Sequence, residues 1–365
     1  MRYVAPFRDR ARIREVAARI AAACTRPWRV MEVCGGQTHA IARHAIDALL
    51  PAQLELIHGP GCPVCVTPLA VLGAAFELSL RSEVTLCSFG DMLRVPGPRG
   101  DLLAARALGA DVRVVLSPLD AVEVARRCPE RQVVFFAVGF ETTAPATAMA
   151  VELARRLALD NFTALCAHVR VPPAMELLLA APDSEISGFL AAGHVCTVEG
   201  VEAYPAIAAR HHVPIAITGF EPLDILLGLL DVVTQLEAGA ATVTNRYPRA
   251  VRAEGNPAAR AMVERVFAIV DAPWRGLGVV PRGGLALRDE FVRFDALARH
   301  ALALTPAPEP AACRAAQVLQ GRLCPTRCPE FGRACTPETP LGAPMVSSEG
   351  ACAAYYRYRA AGLSR

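Results

Sequence analysis

Apolar positions near the start of the chain recur with helical spacing. Ile13, Val16, Ala17 and Ile20 fall on one face of a segment otherwise rich in Arg and Ala, which predicts an amphipathic helix over 8–23. Beyond it, short apolar runs alternate with helical patterns. The runs predict strands over 29–33, 54–57, 84–89, 112–116, 133–140, 162–169, 188–196 and 213–220. Most are apolar throughout rather than at every second residue, the pattern of strands covered on both faces of a parallel sheet. Helical spacing lies between them, for example over 39–50, 119–128, 146–157 and 223–236. This alternation predicts α/β architecture with right-handed crossovers.

One segment echoes another 80 residues on. Phe136-Ala137-Val138-Gly139-Phe140-Glu141 is matched by Ala216-Ile217-Thr218-Gly219-Phe220-Glu221, each an apolar run entering Gly-Phe-Glu before Pro145 or Pro222. The echo suggests a duplicated strand–turn–helix unit. Past residue 275 the pattern changes: 274–287 reads as Gly-rich and irregular, and 305–310 as a proline linker. The tail then holds Cys313, Cys324, Cys328, Cys335 and Cys352 with little periodic apolar pattern, so a small domain there needs a metal to hold it.

The chain has 365 residues, 53% of them hydrophobic, enough for two or three packed domains at ~150 residues each. Lys+Arg number 38 against 35 for Asp+Glu, a net charge of +3 that is too balanced for a protein built to bind nucleic acid or an anionic membrane. All 38 cations are arginine. With no lysine, a Walker-A site, a protein-kinase site and Schiff-base catalysis are excluded. The N-terminus is charged every few residues and lacks the apolar core of a signal peptide. The long uncharged stretch 56–76 contains Pro60, Pro63 and Pro68 and cannot form a spanning helix. These features suggest a soluble, cytoplasmic chain, in which 13 cysteines are metal ligands or redox thiols rather than structural disulfides.

Four places could carry chemistry. Cys34-Gly35-Gly36-Gln37-Thr38-His39 follows a predicted strand and opens a helix that Thr38 could cap. A thiol there lies where α/β proteins place ligands, and the helix N-terminus favours its thiolate. A glycine turn beside a buried cysteine is the plain alternative. Gly59-Pro60-Gly61-Cys62-Pro63-Val64-Cys65 sits at a second strand–helix junction, as a redox pair or half of a zinc site. Glu141, in Gly139-Phe140-Glu141-Thr142-Thr143-Ala144-Pro145, ends a strand where a carboxylate could bond a ligand or a catalytic thiol. Thr142 and Thr143 could cap the helix that follows. His168 and His194 sit in or at the ends of apolar runs and read as core residues. In the tail, gaps of 11, 4, 7 and 17 between cysteines do not match paired zinc knuckles. They suit a cubane iron–sulfur cluster better, with structural zinc as the alternative.

Taken together, CGGQTH, GPGCPVC, SFGDMLRVPG, GFETTAP, GHVCTVEG, ITGFEPLDIL and FGRACTPETPLGAPMVSSEGACAAYY resemble the hydrogenase maturation factor HypD family, in the family's order and over nearly the whole chain. The resemblance implies two related parallel-sheet α/β domains plus a small C-terminal iron–sulfur region. On the chain these are placed at 1–130, carrying CGGQTH and GPGCPVC, at 131–275, carrying GFETTAP and GFEPLD, and at 276–365. It further implies a scaffold that works with the small chaperone HypC to build the Fe(CN)2CO unit of [NiFe]-hydrogenases, with cyanide delivered by HypE together with HypF.

Residue by residue, the resemblance implies that Cys34 holds the iron, with His39 in the same motif, and that Cys62 and Cys65 are the redox-active pair. Cys313, Cys328, Cys335 and Cys352 are implied as [4Fe-4S] ligands. Where relatives often read Gly-Ala-Cys-Met-Val-Ser, this chain has Gly342-Ala343-Pro344-Met345-Val346-Ser347, so position 344 cannot be a ligand, and Cys324 falls outside the family positions. Low-spin Fe(II) carrying cyanide and CO prefers soft thiolates, and Cys34 at a helix N-terminus is expected to supply one already deprotonated. An assembly scaffold with redox activity, rather than a conventional turnover enzyme, is the expectation. The rival is a stand-alone thiol–disulfide oxidoreductase with a structural metal site in the tail.

Overall fold

The structure, a computed structural model, describes residues 4–359. Their strands form two sheets. The first takes β1 (Trp28–Glu32), β2 (Leu54–His58), β7 (Gly188–Ala192), β8 (Ile215–Thr218) and β9 (Val243–Asn245) in the order β2-β1-β7-β8-β9, all parallel. The second takes β3 (Val84–Ser88), β4 (Asp111–Val114), β5 (Gln132–Gly139), β6 (Phe162–Val169), β10 (Phe267–Trp274) and β11 (Gly278–Leu287) in the order β10-β11-β6-β5-β3-β4. Four of these six strands run parallel, and the β10–β11 hairpin adds antiparallel to β6. The architecture is α/β with two mostly parallel sheets, as expected. Among the described residues no helix is long and apolar enough to cross a membrane.

The expected boundaries at 130 and 275 do not follow the sheets. The chain completes two strands of the first sheet and leaves to build four of the second. It then returns for β7–β9 and goes back for the hairpin. Parallel neighbours need long crossovers, so strands adjacent in a sheet can be far apart in sequence. The echo falls one copy to each sheet: Gly139 closes β5, and Gly219 follows β8 directly.

Two segments differ from the pattern reading. The run 188–196 is a strand only to Ala192, after which Gly193–Glu199 is a helix. A short run buried throughout carries no period that separates a strand from an inner helical turn. The Gly-rich 274–287 is not irregular. It is mostly β11, where a side chain on Gly284 would place its Cβ 2.4 Å from that of Ala272 beside a bulge in the hairpin.

One of the hydrophobic clusters draws on both sheets. Met31, Val33, Phe189 and Ile217 from the first pack in one cluster with Phe140, Val169 and Trp274 from around the second, and Cys34, Cys62 and Cys65 lie in it.

Candidate functional site

Cys34 is the N-cap of the helix Gly35–His44, with extended backbone at φ −148°, and its side chain is buried. The carboxylate of Glu32, at the end of β1 and fully buried, organises the turn. It accepts from the Cys34 N–H at 2.9 Å, from the Thr38 hydroxyl, and from His58 Nδ1 at 2.6 Å. His58 Nε2 in turn pairs with the Tyr355 hydroxyl at 2.9 Å. Thr38 therefore bonds to Glu32 rather than capping the helix.

The second thiol loop presses onto the first. Cys62 caps the one-turn helix Pro63–Val66, is disulfide-bonded to Cys65, and both are buried. Gly35 N–H donates to Gly61 O at 2.7 Å, and a Cβ on Gly61 would lie 2.2 Å from the Cys34 nitrogen. Only glycine allows this approach. Because β1 and β2 are parallel neighbours, both loops leave the same edge of one sheet.

Above Cys34 Sγ lies His194, with Nδ1 at 3.5 Å, stacked on Phe220 at 5.2 Å between ring centroids. Burial pushes the His194 pKa down to about 4, so its imidazole is neutral at pH 7. Burial also pushes the Cys34 thiol up, reinforced by Glu32 and Glu349, and the N–H groups of Gln37 and Gly36 oppose this without prevailing. The metal-free thiol thus keeps its proton, contrary to the expectation that the helix N-terminus alone would release it. His39 does not face Cys34. Its Nδ1 lies 3.2 Å from Ser348 O and its Nε2 3.1 Å from the Tyr358 hydroxyl, clasping the C-terminal helix Ala351–Arg359.

Glu141 is buried after β5. One oxygen accepts from Val171 N–H at 2.8 Å and the other has no partner among the described residues. No hydrogen bond among the described residues joins it to Cys34, Cys62 or Cys65; it adds negative potential at Cys196 and Tyr204 instead. Thr143 is the N-cap residue of the next helix, but its hydroxyl donates to Phe140 O at 3.2 Å and does not cap. Burial raises the Glu141 pKa to about 7. A carboxyl raised above its unfolded value of 4.5 stabilises the fold fully below that value and loses the contribution as pH rises through 7. Glu141→Gln is therefore expected to melt at a higher temperature than the native chain at pH 8. The difference should shrink between pH 7 and 4.5 and vanish below, as thermal unfolding across that range will show.

The tail gathers its thiols. Cys313, Cys328, Cys335 and Cys352 line one largely apolar cavity with Pro344 and Met345. Burial, then the neighbouring Cys335, Cys313, Cys328 and Cys324, pushes the Cys352 thiol up. Cys324 lies outside, against Thr326 Oγ1 at 3.3 Å. Among the described residues no three metal-binding side chains are placed to share one ion. The cavity adjoins the dithiol, since the helix Pro63–Val66 packs against the turn Ala343–Met345.

The sequence reading missed Glu32, His58, His194, Glu349 and Tyr355. A buried acid ending an apolar strand was the available signal for Glu32. His194 lies within Gly-His-Val-Cys after an apolar run, which reads equally well as core.

The geometry defines a class of α/β protein that collects thiols at the carboxyl ends of adjacent parallel strands and sets a separate cysteine cage beside them. The Hydrogenase formation hypA family profile, HypD, matches residues 11–359. The chain is 50% identical to the hydrogenase expression/formation protein HupD of Azotobacter chroococcum, over 98% of this chain and 97% of that one. It is 49% identical to the hydrogenase maturation factor HypD of Azotobacter vinelandii over the same shares, and 46% identical to that of Escherichia coli over 95% and 93%. The chain belongs to the HypD family of hydrogenase maturation factors.

Proposed function

We propose that the chain holds a substrate iron at Cys34 while cyanide and CO are attached to form Fe(CN)2CO, in the cytoplasm and together with a HypC-like chaperone. Cyanide arrives on a carrier of the HypE type, charged with the help of HypF. The observation that carries this reading is the seating of Cys34 against the Gly59–Cys65 loop, which puts a single thiol and a disulfide-forming pair in one buried site. A stand-alone oxidoreductase has no need of the third thiol.

Release of cyanide from a thiocyanate carrier is reductive. The dithiol of Cys62 and Cys65 loses two electrons and two protons and closes to the disulfide. The carrier S–CN bond takes the two electrons and one proton, leaving a carrier thiol and cyanide for the iron, while the second proton goes to solvent. The Cys34 thiol proton is lost to solvent when iron binds, because ligation requires the thiolate.

The residues present fit a resident [4Fe-4S] cluster: four thiols around one apolar cavity are the usual donor set for a cubane. When bound, the cluster supplies one-electron transfer next to the dithiol. Cys313, Cys328, Cys335 and Cys352 would hold it.

A Cys62→Ala/Cys65→Ala double variant is expected to retain iron but acquire no cyanide from the loaded carrier, followed by infrared spectroscopy under anaerobic conditions. Cyanide transfer at the native rate would return the motif to a structural loop.

A further inference from the structure

Arg275 is a buried cation, with its side chain 1% exposed. It sits in the turn between β10 and β11, and its backbone N–H donates to Val66 O at 2.8 Å, one residue beyond Cys65. On the other side, Gly276 O accepts from Gln320 Nε2 at 2.6 Å, and Gly276 packs on Ala316, three residues past Cys313. The turn is thus wedged between the dithiol helix and the segment that brings Cys313 to the cage.

Its guanidinium is only partly satisfied. Nε donates to Glu309 at 2.9 and 3.0 Å, from the segment read as a proline linker, and Nη2 lies 2.8 Å from the same carboxylate. Nη1 and Nη2 nonetheless make no hydrogen bond of good geometry to the described residues. Glu309 is 41% exposed, so its charge is partly screened while that of Arg275 is not. A buried charge needs compensation beyond one half-exposed partner. The cysteine cage lies on that side of the turn, since Gly276 packs on Ala316 in the segment that brings Cys313 to it.

We propose that Arg275 is a positioning residue for the four-cysteine centre, its fixed charge stabilising the more negative, reduced form and so setting the potential at which the centre exchanges electrons with Cys62 and Cys65. The inference rests on the cluster reading above. A thiolate-ligated cubane gains one negative charge on reduction, and a buried cation at short range favours that form more than solvent does.

Anaerobic redox titration of the full chain, followed by electron paramagnetic resonance, tests it, with iron and sulfide content measured in parallel. Arg275→Met is expected to keep its iron and sulfide but to cut the reduced-to-oxidised ratio at fixed potential about tenfold, a ~59 mV fall for a one-electron couple. Arg275→Lys should recover most of that shift, and Glu309→Gln should move the ratio the opposite way. A merely structural role predicts neither the sign reversal at Glu309 nor the rescue by lysine. Unchanged potentials in Arg275→Met and Glu309→Gln with full cluster content would overturn the inference and leave the cluster intact. If Arg275→Met fails to fold, the Glu309→Gln titration decides alone. Absence of iron and sulfide from the native chain would instead defeat the cluster reading itself.

Discussion

Cys34→Ala is expected to lower hydrogenase maturation by at least about 100-fold, the upper end of what removing an outer-shell partner costs a metal site. The change deletes the thiol at the centre of the proposed iron site and little else. Cys34 makes its structural bonds through its backbone, by the N–H to Glu32 and the carbonyl to Thr38 N–H at 3.0 Å, and alanine preserves both. Thermal unfolding, and iron and sulfide in the C-terminal cage, should stay at native levels. Complementation of a strain lacking this chain measures the effect, and near-native maturation by the variant would remove Cys34 from the mechanism.

Cys335→Ser is expected to strip the C-terminal iron and sulfide and loosen the tail to proteolysis, whereas Cys324→Ser leaves both unchanged. Residues 324–341 are mostly turns and loops, and their Cys324 and Phe331 only pack, partly buried, on a small apolar cluster of Ala42, Ala354 and Tyr355. A segment with so little core would depend on the proposed cluster for order. The loss should also reach the distant thiol, because Tyr355 holds His58, His58 holds Glu32, and Glu32 holds the Cys34 turn. Loss of the cluster in Cys324→Ser, with retention in Cys335→Ser, would show that the ligand set is misassigned.

What was legible follows from what the sequence encodes locally. Strands covered on both faces announce themselves as apolar runs, and β6 matches its expected 162–169. Both cysteine loops fall at strand ends as expected, because glycine and proline punctuate them. The interleaving of the sheets was not legible, since parallel pairing is set by crossovers that leave no mark in either partner strand. For the same reason the site was read only in part. Cys34 and Gly61 meet because β1 and β2 are neighbours, but His194 arrives after β7, the other neighbour of β1, 160 residues further along the chain. Nothing near His194 distinguishes it from His168, which is buried against Thr147 at 3.3 Å. The Thr38 and Thr143 expectations failed for different reasons: the helix begins at Gly35, with Cys34 as its N-cap, so Thr38 lies inside it, while Thr143 stands at the N-cap but its hydroxyl donates to Phe140 O and accepts from no helix N–H.

The raised Cys34 thiol bears on how the site works. A buried thiol that keeps its proton is a poor adventitious nucleophile and becomes a ligand only when a cation arrives to hold the thiolate.

The central claim is that Cys34 carries iron bearing diatomic ligands, and infrared spectroscopy of the anaerobically isolated complex with its HypC-like chaperone tests it most directly. The account predicts cyanide and CO stretching bands on the native complex and none on Cys34→Ala prepared identically with its C-terminal cluster intact. The same bands at full intensity on the variant would contradict it.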